Sequence, residues 1–192
     1  MSFSEKNKSP KSWIQDYAPQ NPREEGDREH LLKLPEFFIG VDRSLPYHYT
    51  VSAMVVEEEG ERVLLIHHPI YNSWGWSGGH VEEGEDLFTA AVRELYEETG
   101  LEYVGPGDRS PVAFHLLPVK EHERKGEAVE AHFHVNFTFG FTARAEDLPQ
   151  SGGELKSLWV PISQLAEYVT EAHMLPIYRE ILNIMDKKNP LS

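Results

Sequence analysis

Three glutamates, Glu94, Glu97 and Glu98, stand at positions i, i+3 and i+4 of one short segment. On an α-helix such positions are neighbours along a single edge. Carboxylates held that close repel one another at neutral pH. They keep protons or weaken the helix unless a cation sits among them. Hard oxygen ligands at that density suit magnesium, manganese or calcium rather than zinc. Arg93, one position to the side, can reach back toward Glu85 and tie the preceding loop to the helix. Gly78 and Gly79 let a loop backbone come close to whatever the helix binds. The competing reading is a glutamate-rich helix whose acidic edge is only solvated.

The elements that would position these residues follow from periodicity. Asp86 to Thr99 (DLFTAAVRELYEET) has helical composition, with Leu87, Ala91 and Leu95 on one stripe and Gly100 where a C-terminal cap belongs. Thr50 to Val56 and Arg62 to His67 are β-rich runs around a polar turn containing Gly60, the pattern of a hairpin. A loop is expected at Trp74, Gly75 and Trp76, and further strands at Pro111 to Val119, Val129 to Thr142 and Leu155 to Val160. Ser163 can cap a short helix reaching Val169. Pro176 can open a last helix in which Ile177, Ile181, Ile184 and Met185 share a face. Strands interleaved with helices give a layered α/β or α+β domain. Ahead of it lies a proline-rich arm with a short helix expected near Asp27. Its apolar residues suit packing on its own domain or on a second subunit, and a disordered leader as far as Arg28 is the alternative.

In HFHVNF, His132, His134 and Asn136 alternate with Phe133, Val135 and Phe137, so the two sets face opposite sides of a strand. The polar side reads either as a wall of a substrate pocket or outer metal contact, or as a half-exposed strand. Trp74 and Trp76 can stack on a base or pack in a core.

Composition narrows the class. Acidic residues number 32 against 18 basic ones, a formal net charge of −14. A surface of that sign repels nucleic acid and anionic lipid, so neither is an expected partner. The chain has no cysteine, which excludes thiolate catalysis and Cys-ligated metal. No apolar run approaches transmembrane length, and the N-terminus lacks the apolar stretch of a secretory signal; a soluble cytoplasmic protein is expected.

The segment 79–101 reads G-x5-E-x7-R-E-U-x-E-E-x-G-U, with U aliphatic. Gly79, Glu85, Arg93, Glu94, Leu95, Glu97, Glu98, Gly100 and Leu101 fill all nine defined places. This is a complete Nudix box, and the chain resembles a Nudix hydrolase. The flanks agree. Trp74 to Gly79 (WGWSGG) resembles the lead into the box, with Ser77 where proline is common, and Leu155 to Leu165 (LKSLWVPISQL) resembles the strand and short helix that close the domain.

The resemblance implies an α/β/α sandwich, a mixed β-sheet between helices, over residues 47–186. Residues 1–46 are then a partly ordered N-terminal arm and residues 187–192 a tail. It further implies hydrolysis of a pyrophosphate bond in a nucleoside diphosphate linked to another moiety, with Mg2+ or Mn2+ as cofactor. Glu97 and Glu98 are the first candidates for metal ligands, with the Gly78 carbonyl as another oxygen. Glu94 either binds metal or accepts the proton of the attacking water, and Arg93 orients the glutamates. Glu154 best matches the loop carboxylate that many members add; Glu121, Glu123, Glu127 and Glu130 are its rivals. Trp74, His132 and His134 are the substrate-binding candidates. The partner is a small-molecule nucleoside diphosphate derivative, and the apolar arm makes a homodimer an open alternative to a monomer. The competing function is a Nudix-like sensor that binds a nucleotide without cutting it, a class that usually loses box glutamates or carries a DNA-binding domain.

Overall fold

Along β2 (Tyr47–Glu57) successive side chains fall on opposite faces, and the two faces feed two different apolar layers. Tyr49, Val51, Ala53 and Val55 join one cluster, and Met54 joins the other. The same split recurs in β3 (Arg62–His68), where Leu64 goes with the first cluster and Val63 and Leu65 with the second. A sheet buried on both sides needs a layer of helices on each. The computed structural model describes residues 10–69, 72–102, 109–124, 127–150 and 153–188.

The remaining strands are β1 (Ile39–Gly40), β4 (Ser73–Gly75), β5 (Ser77–His80), β6 (Ala113–Val119), β7 (His122–Arg124), β8 (Glu127–Val129), β9 (His132–Ala143) and β10 (Ser157–Pro161). The main sheet runs β10-β3-β2-β9-β6, and β7 and β8 form a separate hairpin. The central β2–β9 pair is parallel, from Tyr47 beside Phe133 to Glu57 beside Ala143. The flanking β6–β9, β2–β3 and β3–β10 pairs are antiparallel, so the sheet is mixed. β5 pairs antiparallel with the middle of β2, setting Val51 beside Gly79 and Thr50 beside His80.

Among the described residues, five α-helices complete the fold: α1 (Pro10–Asp16), α2 (Pro22–Lys33), α3 (Leu87–Thr99), α4 (Leu165–Tyr168) and α5 (Met174–Lys188). Ile14, Leu31, Leu87, Ala91 and Leu95 belong to the first apolar cluster, so α1, α2 and α3 cover one face. Tyr178 and Ile181 belong to the second, which places α5 on the other. This is the expected α/β/α sandwich. Among the described residues, no helix is long and apolar enough to cross a membrane.

Four local expectations are corrected. The arm is helical from Pro10, and its main helix begins at Pro22 rather than near Asp27. Asn21 caps it by accepting from the Glu24 N–H at 2.9 Å, and proline suits the first helical position. Ile14, Tyr17 and Leu31 of the arm are buried against its own domain, fastened by the fully buried Glu24, whereas Phe37 and Phe38 are exposed. Glu24 accepts from the Tyr17 hydroxyl at 2.8 Å, the Gln20 N–H at 2.7 Å and the Phe114 N–H at 3.2 Å. Residues 74–76 are not a plain loop: Trp74 and Gly75 end β4, which pairs with β3, and β5 starts one residue after Trp76. Ser163 caps nothing; it lies inside a short 3-10 turn, Ile162–Gln164, that leads into α4. The last helix starts at Met174, two residues before Pro176.

Candidate active site

α3 is well bounded. Asp86 accepts from the Thr89 N–H at 3.1 Å, and Gly100, with φ 73°, closes the C-terminus in the left-handed conformation that glycine tolerates. Leu87, Ala90, Ala91 and Leu95 are buried under the helix. That burial leaves Glu94, Glu97 and Glu98 along one flank, where β5 meets them. A Cβ on Gly78 would run into the main chain of β2 at Val51 and Ser52, so the approach of β5 to β2 requires glycine there, while a Cβ on Gly79 would displace the Glu94 carboxylate. Gly78 offers its N–H to a Glu98 oxygen at 2.9 Å.

Arg93 is the cation among these carboxylates. Its Nε and Nη2 donate to the two oxygens of Glu85, both at 2.9 Å, as the spacing suggested. Nη1 donates to Glu94 at 2.8 Å and Glu97 at 3.3 Å, and Nη2 also reaches the His80 carbonyl at 3.0 Å. One planar guanidinium thus links the acidic loop, the helix and the end of β5. Glu98 differs. Among the described residues no lysine or arginine pairs with it. Burial pushes its carboxyl up to about 7, the nearby charges of Glu94 and Glu154 push the same way, and the Gly78 N–H opposes them. Burial also raises Glu94, against the opposing pull of Arg93. A half-buried carboxylate with like charges around it and no basic partner attracts an added cation.

The loop before β10 docks on the C-terminal end of α3. The Glu154 N–H donates to the Glu97 carbonyl at 2.9 Å and the Leu155 N–H to the Glu98 carbonyl at 3.1 Å. A Cβ on Gly153 would collide with the Glu98 main chain. Glu154 therefore lies at the glutamate cluster, its side chain exposed and its charge felt by Glu98. Of its rivals, Glu121 and Glu130 are exposed, while the side chains of Glu123 and Glu127 lie outside the described residues.

The other candidates sit elsewhere. Trp74 packs in the second apolar cluster, edge-on to His67 and Tyr168, in the layer shared with α4 and α5. That is the core alternative, on the face away from α3. Asn136 is buried and committed to Thr50 and Ser52, each at 3.0 Å. His132 and His134 point away from α3 as well, into a cluster with His48 and His80. His48 and His80 were not candidates from the sequence, because only the register of three strands brings them together.

Comparison with known proteins bears on the family and the fold. The NUDIX domain family model matches residues 46–181. The chain belongs to the Nudix family. An RNA pyrophosphohydrolase of Bartonella henselae is 38% identical over 66 residues, 30% of this chain and 38% of that protein, so the match spans well under half of the relative. Among solved structures, a MutT protein from Methanosarcina mazei is 25% identical with a TM-score of 0.51, covering 75% of this chain and 96% of that one. A MutT protein from Bacillus halodurans, at 24% identity and TM-score 0.53 over 70% of this chain and 81% of that one, shares the fold.

Proposed function

We propose that this Nudix protein hydrolyses a pyrophosphate bond in a nucleoside diphosphate linked to another moiety, with Mg2+ or Mn2+ held by the glutamate flank of α3. The observation that carries the reading is Glu98, half-buried beside Glu94 and Glu154 with its carboxyl raised to about 7 and no basic partner among the described residues. The donor set is oxygen throughout, carboxylates with the Gly78 carbonyl, which fits a hard divalent ion. Glu97 and Glu98 are the leading ligands, and Glu94 either joins them or takes the proton of the attacking water. Such an ion, when bound, supplies charge neutralisation at the phosphates and a more acidic water.

The chain's own residues have separable tasks. Arg93 holds Glu94, Glu97 and Glu85 in register through one rigid fork, a positioning role. Gly79 leaves the space in which the Glu94 carboxylate sits. Glu154 adds negative charge at the mouth of the site from a loop anchored by main-chain bonds. The Bartonella henselae relative is an RNA pyrophosphohydrolase, which supports cleavage of a P–O–P linkage here, with a small nucleotide derivative as the substrate class.

The test is a panel of nucleoside triphosphates, sugar nucleotides, dinucleoside polyphosphates and coenzyme A with Mg2+, read as phosphate, pyrophosphate and nucleoside monophosphate released. Glu98→Gln should lose most turnover of the best substrate while keeping the fold, since it deletes a charge at the flank and no core contact. Turnover equal to the parent's would remove Glu98 from the mechanism. Binding without turnover across the panel would replace the enzyme with the sensor.

A further inference from the structure

His48 on β2 lies directly beside His134 on the parallel strand β9. His80 ends β5 opposite Thr50, two residues further along the same face of β2. Because side chains alternate, His80 faces away from α3 while Gly79, its neighbour, faces Glu94. Three adjacent strands therefore aim one imidazole each into a common space. The ring centroids of His48 lie 5.0 Å from His80 and 4.9 Å from His134, and His80 and His134 are 5.2 Å apart. Each offers a ligand nitrogen within 4.8 Å of the others, the only such trio of histidine or carboxylate ligands among the described residues. His132 closes the rim, 4.7 Å from His48.

The hydrogen bonds give the cluster a direction. His48 is 1% exposed, and its Nδ1 lies 3.1 Å from the Leu45 carbonyl. A carbonyl only accepts, so Nδ1 carries the proton and Nε2 of the neutral ring presents a lone pair to its neighbours. Fixing one ring nitrogen on a backbone carbonyl is how proteins orient metal-ligating histidines. His132 repeats the device, with Nδ1 2.8 Å from the Glu130 carbonyl. Nε2 of His48 and Nε2 of His80 are 3.2 Å apart. Two imidazoles on one tetrahedral zinc, at the usual Zn–N length, would stand about 3.3 Å apart.

We propose that His48, His80 and His134 form a binding site for a divalent transition metal of the zinc type, separate from the oxygen ligands on α3. Imidazole suits zinc, nickel, cobalt and copper, whereas the carboxylate flank suits magnesium or manganese, so the two faces of the sheet select different ions. Three protein nitrogens leave a fourth position for water or an external group. The site also touches the glutamate flank mechanically, because the His80 carbonyl anchors Arg93 at 3.0 Å.

The test is titration of metal-free protein with Zn2+ in a large excess of Mg2+, followed by calorimetry and by the histidine ring resonances in NMR. We expect one Zn2+ per chain and movement of the signals of His48, His80 and His134 among the ten histidines. His80→Gln and His134→Gln, both at partly exposed positions, should each weaken uptake at least about tenfold. Glu98→Gln should leave it unchanged, which keeps this result independent of the hydrolase reading. Uptake undiminished in both histidine variants, or lost in Glu98→Gln, overturns the proposal. Should a variant fail to fold, the unaltered protein decides, since Zn2+ binding that leaves those three resonances in place also overturns it.

Discussion

Replacing Glu98 by glutamine should stabilise the metal-free protein in weak base. The parent carboxyl ionises near 7 in the fold against an ordinary 4.5, chiefly because it is buried. Its folded-state pKa stands above the unfolded one. Its contribution is therefore fully present below about pH 4.5 and is lost as the pH rises through 7. At about 1.4 kcal/mol per tenfold change, ionising it at pH 8 carries a ceiling of about 3 kcal/mol. The partial exposure of the side chain brings the expected figure to about 1–2 kcal/mol. Glutamine keeps an oxygen for the Gly78 N–H and has no charge to bury. Urea unfolding in chelator at pH 4, 6 and 8 measures the difference. The two proteins should match at pH 4, differ by more than half the full amount at pH 6, and differ most at pH 8 with the variant ahead. Added Mg2+ should restore the parent and leave the variant nearly unmoved. A parent as stable as the variant at pH 8 in chelator would refute the claim that this carboxylate is strained without a cation.

Two further outcomes test the framework around the site. Glu24→Ala leaves the Tyr17 hydroxyl and the Gln20 and Phe114 N–H groups without their acceptor, so it should cost about 3 kcal/mol and expose α1 and α2 to early proteolysis. Equal protease resistance in the variant would show that the arm is held by its apolar contacts alone. His115, buried on β6 with neither ring nitrogen hydrogen-bonded among the described residues, is pushed down to about 3 by burial and by Arg23. A depressed folded-state pKa means stability present above 6.5 and lost as the pH falls toward 3, so His115→Leu should be more stable than the parent by about 3 kcal/mol at pH 4. Parallel acid denaturation curves would contradict that.

Local features were legible in sequence where a short-range rule governs them. α3 follows from an apolar stripe, Asp86 and Gly100, and the Arg93–Glu85 tie from eight residues of separation across one loop. The β4 and β5 strands were not legible. Tryptophan and glycine carry no period over three residues, and the pairing partners of these strands are supplied by β3 and β2. Trp74 illustrates the limit. An aromatic residue beside the box fits stacking or packing equally, and only the layer it enters decides.

The acidic edge, its glycine-lined approach and the hard-ion chemistry they favour are consequences of residue type and helical spacing, so they can be read from one stretch of chain. The histidine cluster is different. His48, His80 and His134 are separated by 32 and 54 residues, and no local propensity relates them. They meet because β2 lies between β5 and β9 in a particular register, and a slip of one residue would turn any of them to the opposite face.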